Sequence, residues 1–229
     1  MKKQGITILR DGPYAVTADV PLNTASIECD AQGDSERWAR GETCETGEKP
    51  YALCRCGRSE RKPFCDGTHG KIGFHGTETA DRPAYAQSAR RYRGKGIDLL
   101  DEESLCAVAR FCDKGDTIWR AIAGTDSPEV REEVVREAAN CPGGRLSVVT
   151  HDGERLEPDL PREISLVEDP SRNCRGPLWV KGGITVTGAD GEQYETRNRV
   201  ALCRCGESEN MPYCDASHYE CRHMQGLDS

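Results

Sequence analysis

Apolar positions along the chain fall in short runs broken by glycine, proline and charged clusters, a pattern that predicts brief strands and turns. Ile184-Thr185-Val186-Thr187 and Gln193-Tyr194-Glu195-Thr196 flank Ala189-Asp190-Gly191-Glu192, which predicts a hairpin. Residues 23–49 are polar and rich in Gly, Glu and Thr, and read as an elongated loop. The pattern changes over roughly residues 88–168. Residues 100–111 predict a short helix. Ser127-Pro128-Glu129 is a strong helix start, with a hydroxyl N-cap, proline at the first helical position and a carboxylate in the first turn. Val130, Val134 and Val135 continue it as a narrow apolar stripe up to Ala139. Leu146-Ser147-Val148-Val149 and Glu163-Ile164-Ser165-Leu166-Val167 read as strands, with a turn at Asp152-Gly153 between them.

The chain also repeats itself. Ala52-Leu53-Cys54-Arg55-Cys56-Gly57 followed by Pro63-Phe64-Cys65-Asp66-Gly67-Thr68-His69 matches Ala201-Leu202-Cys203-Arg204-Cys205-Gly206 followed by Pro212-Tyr213-Cys214-Asp215-Ala216-Ser217-His218. Both copies obey C-x-C-x8-C-x3-H. Upstream, Gly12-Pro13-Tyr14-Ala15-Val16 echoes Gly176-Pro177-Leu178-Trp179-Val180. Duplication makes coincidence an unconvincing source of the cysteine pattern. It divides the chain into a first module (1–87), an insert (88–168) and a second module (169–229).

These residue types at this spacing suit metal. Cys54 and Cys56 are two apart, so an extended strand turns both thiols to one side, where they can hold one iron. Cys65 and His69 are four apart, one helical turn, with Asp66 placed to cap it, and can present sulfur and imidazole nitrogen to a second iron. Cys203, Cys205, Cys214 and His218 repeat the set.

Both segments resemble the CDGSH iron–sulfur domain, with pattern C-x-C-x2-(S/T)-x3-P-x-C-D-G-(S/A/T)-H. The first copy fits throughout, and Ile72-Gly73-Phe74 after its histidine is also family-like. The second has Ala216 where glycine is usual and lacks that apolar follow-on. The resemblance implies a [2Fe–2S] cluster in Cys3His ligation at each site, so two such clusters. It further implies an α+β fold in which two small β-rich modules pack as an intrachain pseudo-dimer. Ser59 and Ser208 would then be placed to hydrogen-bond a cluster sulfur. The competing reading is a structural zinc ion in the same Cys3His set, although zinc sites usually space their paired cysteines wider than C-x-C.

The insert holds a third candidate site. Cys106 and Cys112 are followed, after the predicted helix, by Cys141-Pro142, and a distant Cys-Pro is a ferredoxin way of ligating a cubane. The middle position of the usual ferredoxin run is occupied by Ala109. The insert resembles the divergent ferredoxin-like domains found beside CDGSH modules, which implies a [3Fe–4S] cluster on Cys106, Cys112 and Cys141. A [4Fe–4S] cluster would need a fourth ligand, for which Cys174 is a candidate. The plainer reading is that Cys106 and Cys112 are buried thiols. Cys29, Cys44, Cys174 and Cys221 otherwise read as ordinary thiols, His75, His151 and His223 as surface residues, and Trp38, Trp119 and Trp179 as anchors of small cores.

Composition narrows the function classes. With 36% hydrophobic and 31% charged residues the chain is lean for one large core, and suits small modules held together by bound metal. A net charge of -8 argues against nucleic acid as the main partner; it fits docking to a basic face and equally a surface charged only for solubility. Thirteen cysteines cannot all pair with one another. The first ten residues lack an apolar signal core and no run approaches the length of a membrane span, so the expected setting is reducing and cytoplasmic, with thiols committed to metal. The residues offer no nucleophile–base pair or phosphate-binding loop, which points away from an enzyme. The expected function is electron transfer by a monomer, docking to a reductase or oxygenase. The alternatives are a cluster carrier or redox sensor that serves apo-acceptors and, weaker, a zinc-stabilised interaction module.

Overall fold

The computed structural model describes residues 5–227 and is mixed α+β, with strands predominating. The first half contains β1 (Gly5–Ile8), β2 (Tyr14–Val16), β3 (Leu22–Cys29), β4 (Ser35–Cys44) and β5 (Tyr51–Leu53), then the single-turn helix α1 (Thr68–Lys71). After α2 (Tyr85–Ser88) the central region runs β6 (Arg90–Tyr92), β7 (Asp98–Asp101), α3 (Ile118–Ala121), α4 (Pro128–Ala139) and β8 (Leu146–Val149). The last part contains β9 (Ile164–Asp169), β10 (Cys174–Lys181), β11 (Thr185–Thr187) and β12 (Arg199–Leu202).

Two of the sheets follow one plan. In the first, ordered β11-β1-β2-β5, Tyr14 lies opposite Leu53 and Ile8 opposite Tyr14. In the second, ordered β12-β10-β9-β3-β4, Leu178 lies opposite Leu202 and Leu166 opposite Leu178. Each sheet borrows from the other half of the chain, the first taking β11 and the second the pair β3 and β4. Strand β11 runs parallel to β1 with Val186 opposite Ile6, and β3 runs parallel to β9 with Leu22 opposite Ile164. Because side chains alternate across a strand, these registers turn Ile6, Ile8, Leu22, Ile164, Leu166 and Val186 into one buried cluster shared by both halves.

Residues 23–49 are therefore not a loop. Most of them form the antiparallel hairpin β3–β4, with Ile27 opposite Trp38. Ala25 and Ile27 are buried in alternation, while β4 is a mostly exposed edge strand carrying Arg37, Arg40 and Glu42. Charge on an edge strand discourages pairing with other chains, and it gave this stretch its loop-like composition.

The central region packs α4 against the sheet β6-β7-β8 around Ile97, Leu99, Ile118, Val134, Leu146 and Val148. Helix α4 begins as expected, with the Ser127 hydroxyl accepting from the Val130 N–H and Pro128 at the first position. The expected helix over residues 100–111 is absent. Leu100 belongs to β7, and after a short 3-10 turn at Glu103–Leu105 the chain is irregular, with Val108 and Arg110 in the left-handed region at φ of 52° and 64°. Ala107, Ala109 and Phe111 are buried in a period of two, not the helical 3.6. The hairpin expected around Gly191 forms through β11, with a single bridge from Thr187 to Gln193 as its second arm. Among the described residues no helix is long and apolar enough to cross a membrane.

Candidate metal centres

At the end of β5 the chain turns back on itself. The Cys54 N–H donates to the Pro63 carbonyl (2.8 Å) and the Cys65 N–H to the Ala52 carbonyl (2.9 Å), which lays the segment bearing Cys65 and His69 beside Cys54 and Cys56. The second copy makes the same bonds, Cys203 to Pro212 (2.8 Å) and Cys214 to Ala201 (2.9 Å). The donors then stand in pairs. The Cys54 and Cys56 sulfurs are 3.7 Å apart, and the Cys65 sulfur is 3.3 Å from His69 Nδ1. In the second copy the corresponding separations are 3.5 Å and 3.4 Å. A metal bonded at about 2.3 Å to sulfur and about 2.0 Å to nitrogen holds neighbouring tetrahedral ligands roughly 3.5–3.8 Å apart. Each pair therefore has the spacing of one edge of a metal's coordination shell. Among the described residues no three Cys, His, Asp or Glu donors converge as a single ion demands.

Polar groups around both loops are repeated one for one. Asp66 accepts from the N–H groups of Glu60 and Thr68, and Asp215 from those of Glu209 and Ser217. These bonds hold both carboxyls below the ordinary range, against the opposing effect of burial at Asp215. The Ser59 hydroxyl donates to the Phe64 carbonyl (2.6 Å) and Ser208 to that of Tyr213 (2.7 Å). Both serine protons are thus spent on the loop itself, which corrects the expectation that they face a cluster. Gly67 sits at φ 86° and Ala216 at φ 74°, so alanine keeps the glycine geometry of its counterpart.

Sequence reasoning missed the arginines of C-R-C. Arg55 is 1% exposed and donates through Nε to the Gly12 carbonyl (2.7 Å) and through its terminal nitrogen to that of Leu9 (2.9 Å). Arg204 makes the equivalent bonds to Gly176 (2.5 Å) and Val167 (2.7 Å). The signal was present, because C-R-C and the upstream Gly-Pro recur together. The two loops also meet back to back. Gly57, at φ 72°, lies where a Cβ would come within 2.5 Å of the Cys205 carbonyl, and Gly206, at φ 86°, within 2.7 Å of that of Cys56.

Burial sets the electrostatics. It pushes Cys56 up to about 11 and Cys214 well above an ordinary thiol. Cys203 is lowered to about 7, first by its hydrogen bond with Cys205, while Cys205 is raised. Neighbouring buried thiolates repel, so ionising a whole set requires a bound cation. Burial also takes His218 down to about 4. The copies differ in exposure. All four donors of the second are buried, whereas Cys65 and His69 of the first are half-buried.

In the central region Cys106, Cys112 and Cys141 line one cavity of about 210 Å³, together with Phe111, Trp119 and Arg145. Cys112 is pushed up to about 12 by burial and then by charge on Cys141 and Cys106, so the three thiols lie within electrostatic reach of one another. Arg145, held by Asp101 (2.6 Å), supplies positive charge at the wall, and Trp119, also bonded to Asp101 (2.9 Å), lines the cavity besides packing against the core. Cys174 does not reach this cavity. It is fully buried beside the second site, its sulfur 3.5 Å from the His218 carbonyl, and packs with Cys221. His223, expected at the surface, places Nε2 2.9 Å from the Cys205 carbonyl, while His75 and His151 are exposed. Trp38 and Trp179 stack with centroids 4.7 Å apart, and Cys29 and Cys44 lie on β3 and β4.

A family model described as iron-binding zinc finger, CDGSH type, matches residues 11–70 and 175–219. A model described as divergent 4Fe-4S mono-cluster matches residues 92–151. No curated protein and no solved structure matches the chain.

Proposed function

From the match of residues 11–70 and 175–219 to the CDGSH iron-binding family, and of residues 92–151 between them to a divergent 4Fe-4S mono-cluster model, we propose that the chain is a three-cluster electron-transfer protein. Each CDGSH site takes a [2Fe–2S] cluster, with one iron on the C-x-C thiols and the other on Cys65 and His69, or on Cys214 and His218. The observation that carries this reading is the pairing of donors. Two pairs at coordination-edge spacing suit two irons, whereas a structural zinc would draw all four donors to one point. Cys106, Cys112 and Cys141 take a [3Fe–4S] or [4Fe–4S] cluster. The reciprocal loan of β3 and β11 supports the view that the two modules form an intrachain pseudo-dimer, which a monomer can complete alone.

Clusters of these types exchange electrons singly, and one histidine per CDGSH site favours a potential between all-cysteine and two-histidine centres. The chain's own residues bind and shield. Arg55 and Arg204 fasten the C-x-C turns to neighbouring carbonyls, and Arg145 offsets thiolate charge in the central cavity. The half-buried edge at Cys65 and His69 is the natural contact for a redox partner such as a reductase or oxygenase, and a net charge of -8 suits a basic docking face.

That same edge favours a second reading, in which the first site hands its cluster to an apo-acceptor. Repeated reduction by dithionite and reoxidation in the presence of an apo-ferredoxin separates the two. Electron transfer predicts reversible spectral cycles with iron retained on this chain. Appearance of a holo-ferredoxin spectrum with matching loss here would establish the carrier reading instead.

A further inference from the structure

In sequence the three sites run first, central, second. In space the contacts give another order. Ala107, which follows Cys106, packs with Ala201 and Cys214 in one small buried cluster. From the same loop Arg110 donates to Asp169 (2.6 Å) and to the Tyr219 hydroxyl (3.0 Å), and that hydroxyl donates to Asp169 (2.7 Å). The Tyr219 ring lies 4.3 Å from that of His218, so the central loop closes over the histidine side of the second site. The other end of the central site is held likewise. Arg199, on the strand that delivers Cys203, donates to the Cys141 carbonyl (2.9 Å).

The first site meets the second on its far side, through the back-to-back contacts of Gly57 with Cys205 and Gly206 with Cys56. Tyr14 of the first module also donates to the Cys203 carbonyl (2.7 Å). The first module reaches the central region through a different part of its chain. Its hairpin β3–β4 places Trp38 5.0 Å from Phe111, away from the loop bearing Cys65 and His69.

We propose that the second CDGSH site stands between the other two, so that electrons pass between the central and first sites through it, with Ala107 and Ala201 as the bridge on the central side. This ordering rests on the three-cluster reading given above. In each step the reduced cluster loses one electron and its oxidised neighbour gains it. No bond is made or broken.

The test is EPR of the central cluster in the full-length, loaded protein poised at a series of potentials, beside iron and sulfide analysis. An oxidised [2Fe–2S] neighbour is diamagnetic and a reduced one paramagnetic, so the central signal should broaden as its neighbour is reduced. His218→Cys and His69→Cys each keep four donors and lower the potential of one site. The potential at which the central signal broadens should move down in His218→Cys and stay unchanged in His69→Cys. Broadening that follows His69→Cys instead, or no broadening with all three sites loaded, would overturn the ordering alone. Absence of iron from the central site would overturn the three-cluster reading and the ordering with it.

Discussion

At the residue scale the two CDGSH sites share donor types but differ in surroundings, and this has consequences for acid. A ligating imidazole must be neutral, so protonation competes with iron. Burial holds the His218 pKa down to about 4, so its neutral form persists until the pH falls toward that value. Cys65 and His69 are half-buried and within reach of solvent protons. Cluster absorbance should therefore fall in two steps on acidification, the solvent-accessible first site before the second, whose buried histidine resists protonation. His69→Cys should remove the earlier step, which stopped-flow absorbance would follow, and a single step in both proteins would sink the argument. A second prediction concerns the turn residue. Left-handed alanine costs about 1–2 kcal/mol, partly offset by the entropy that glycine loses on folding. Ala216→Gly should raise stability by about 1 kcal/mol and Gly67→Ala lower it by a similar amount, read as shifts in urea midpoint; Gly67 has open space for a methyl, so no clash intrudes. The donor spacing was legible because it is local. The three carbonyl partners of Arg55 lie 43 and 46 positions upstream and 21 downstream, and nothing local announces them.

Among elements, legibility followed how one-sided each environment is. Helix α4 has a hydroxyl cap, a proline and one apolar stripe, and all three agree. Strand β4 is an edge with most side chains in water, so Arg37, Arg40 and Glu42 hid a strand inside a loop-like composition. Residues 100–111 misled for another reason. Their apolar density was read as helix, whereas Ala107, Ala109 and Phe111, buried at every second position, belong to an irregular segment that lines the central cavity. The exchanged strands predict a long-range effect. Leu22 is fully buried and belongs by sequence to the first module, yet it packs with Ile164 on the second sheet. Leu22→Ala should cost about 2–5 kcal/mol. Hydrogen exchange should quicken in β9 and β10, with acid bleaching of the second site moving to higher pH. Effects confined to β1 and β2 would contradict the exchange.

At the scale of the whole molecule, the duplication revealed two modules and an insert, but not how they interlock. The pairing of Leu22 with Ile164 and of Ile6 with Val186 closes long loops, and short-range patterns carry no record of such partners. The same holds for the contact of Ala107 with Ala201 and Cys214, which places the insert's cysteines beside the second module. Two closely similar CDGSH loops thus come to have different neighbours: one is partly exposed, and the other touches both its twin and the central loop. The account stands on the claim that paired donors hold binuclear clusters and three cavity thiols a further one. Iron and acid-labile sulfide per chain, measured on anaerobically purified protein, test it most directly. Two [2Fe–2S] sites and a [3Fe–4S] or [4Fe–4S] site predict about seven or eight irons with eight sulfides per chain. Zinc without sulfide would contradict it.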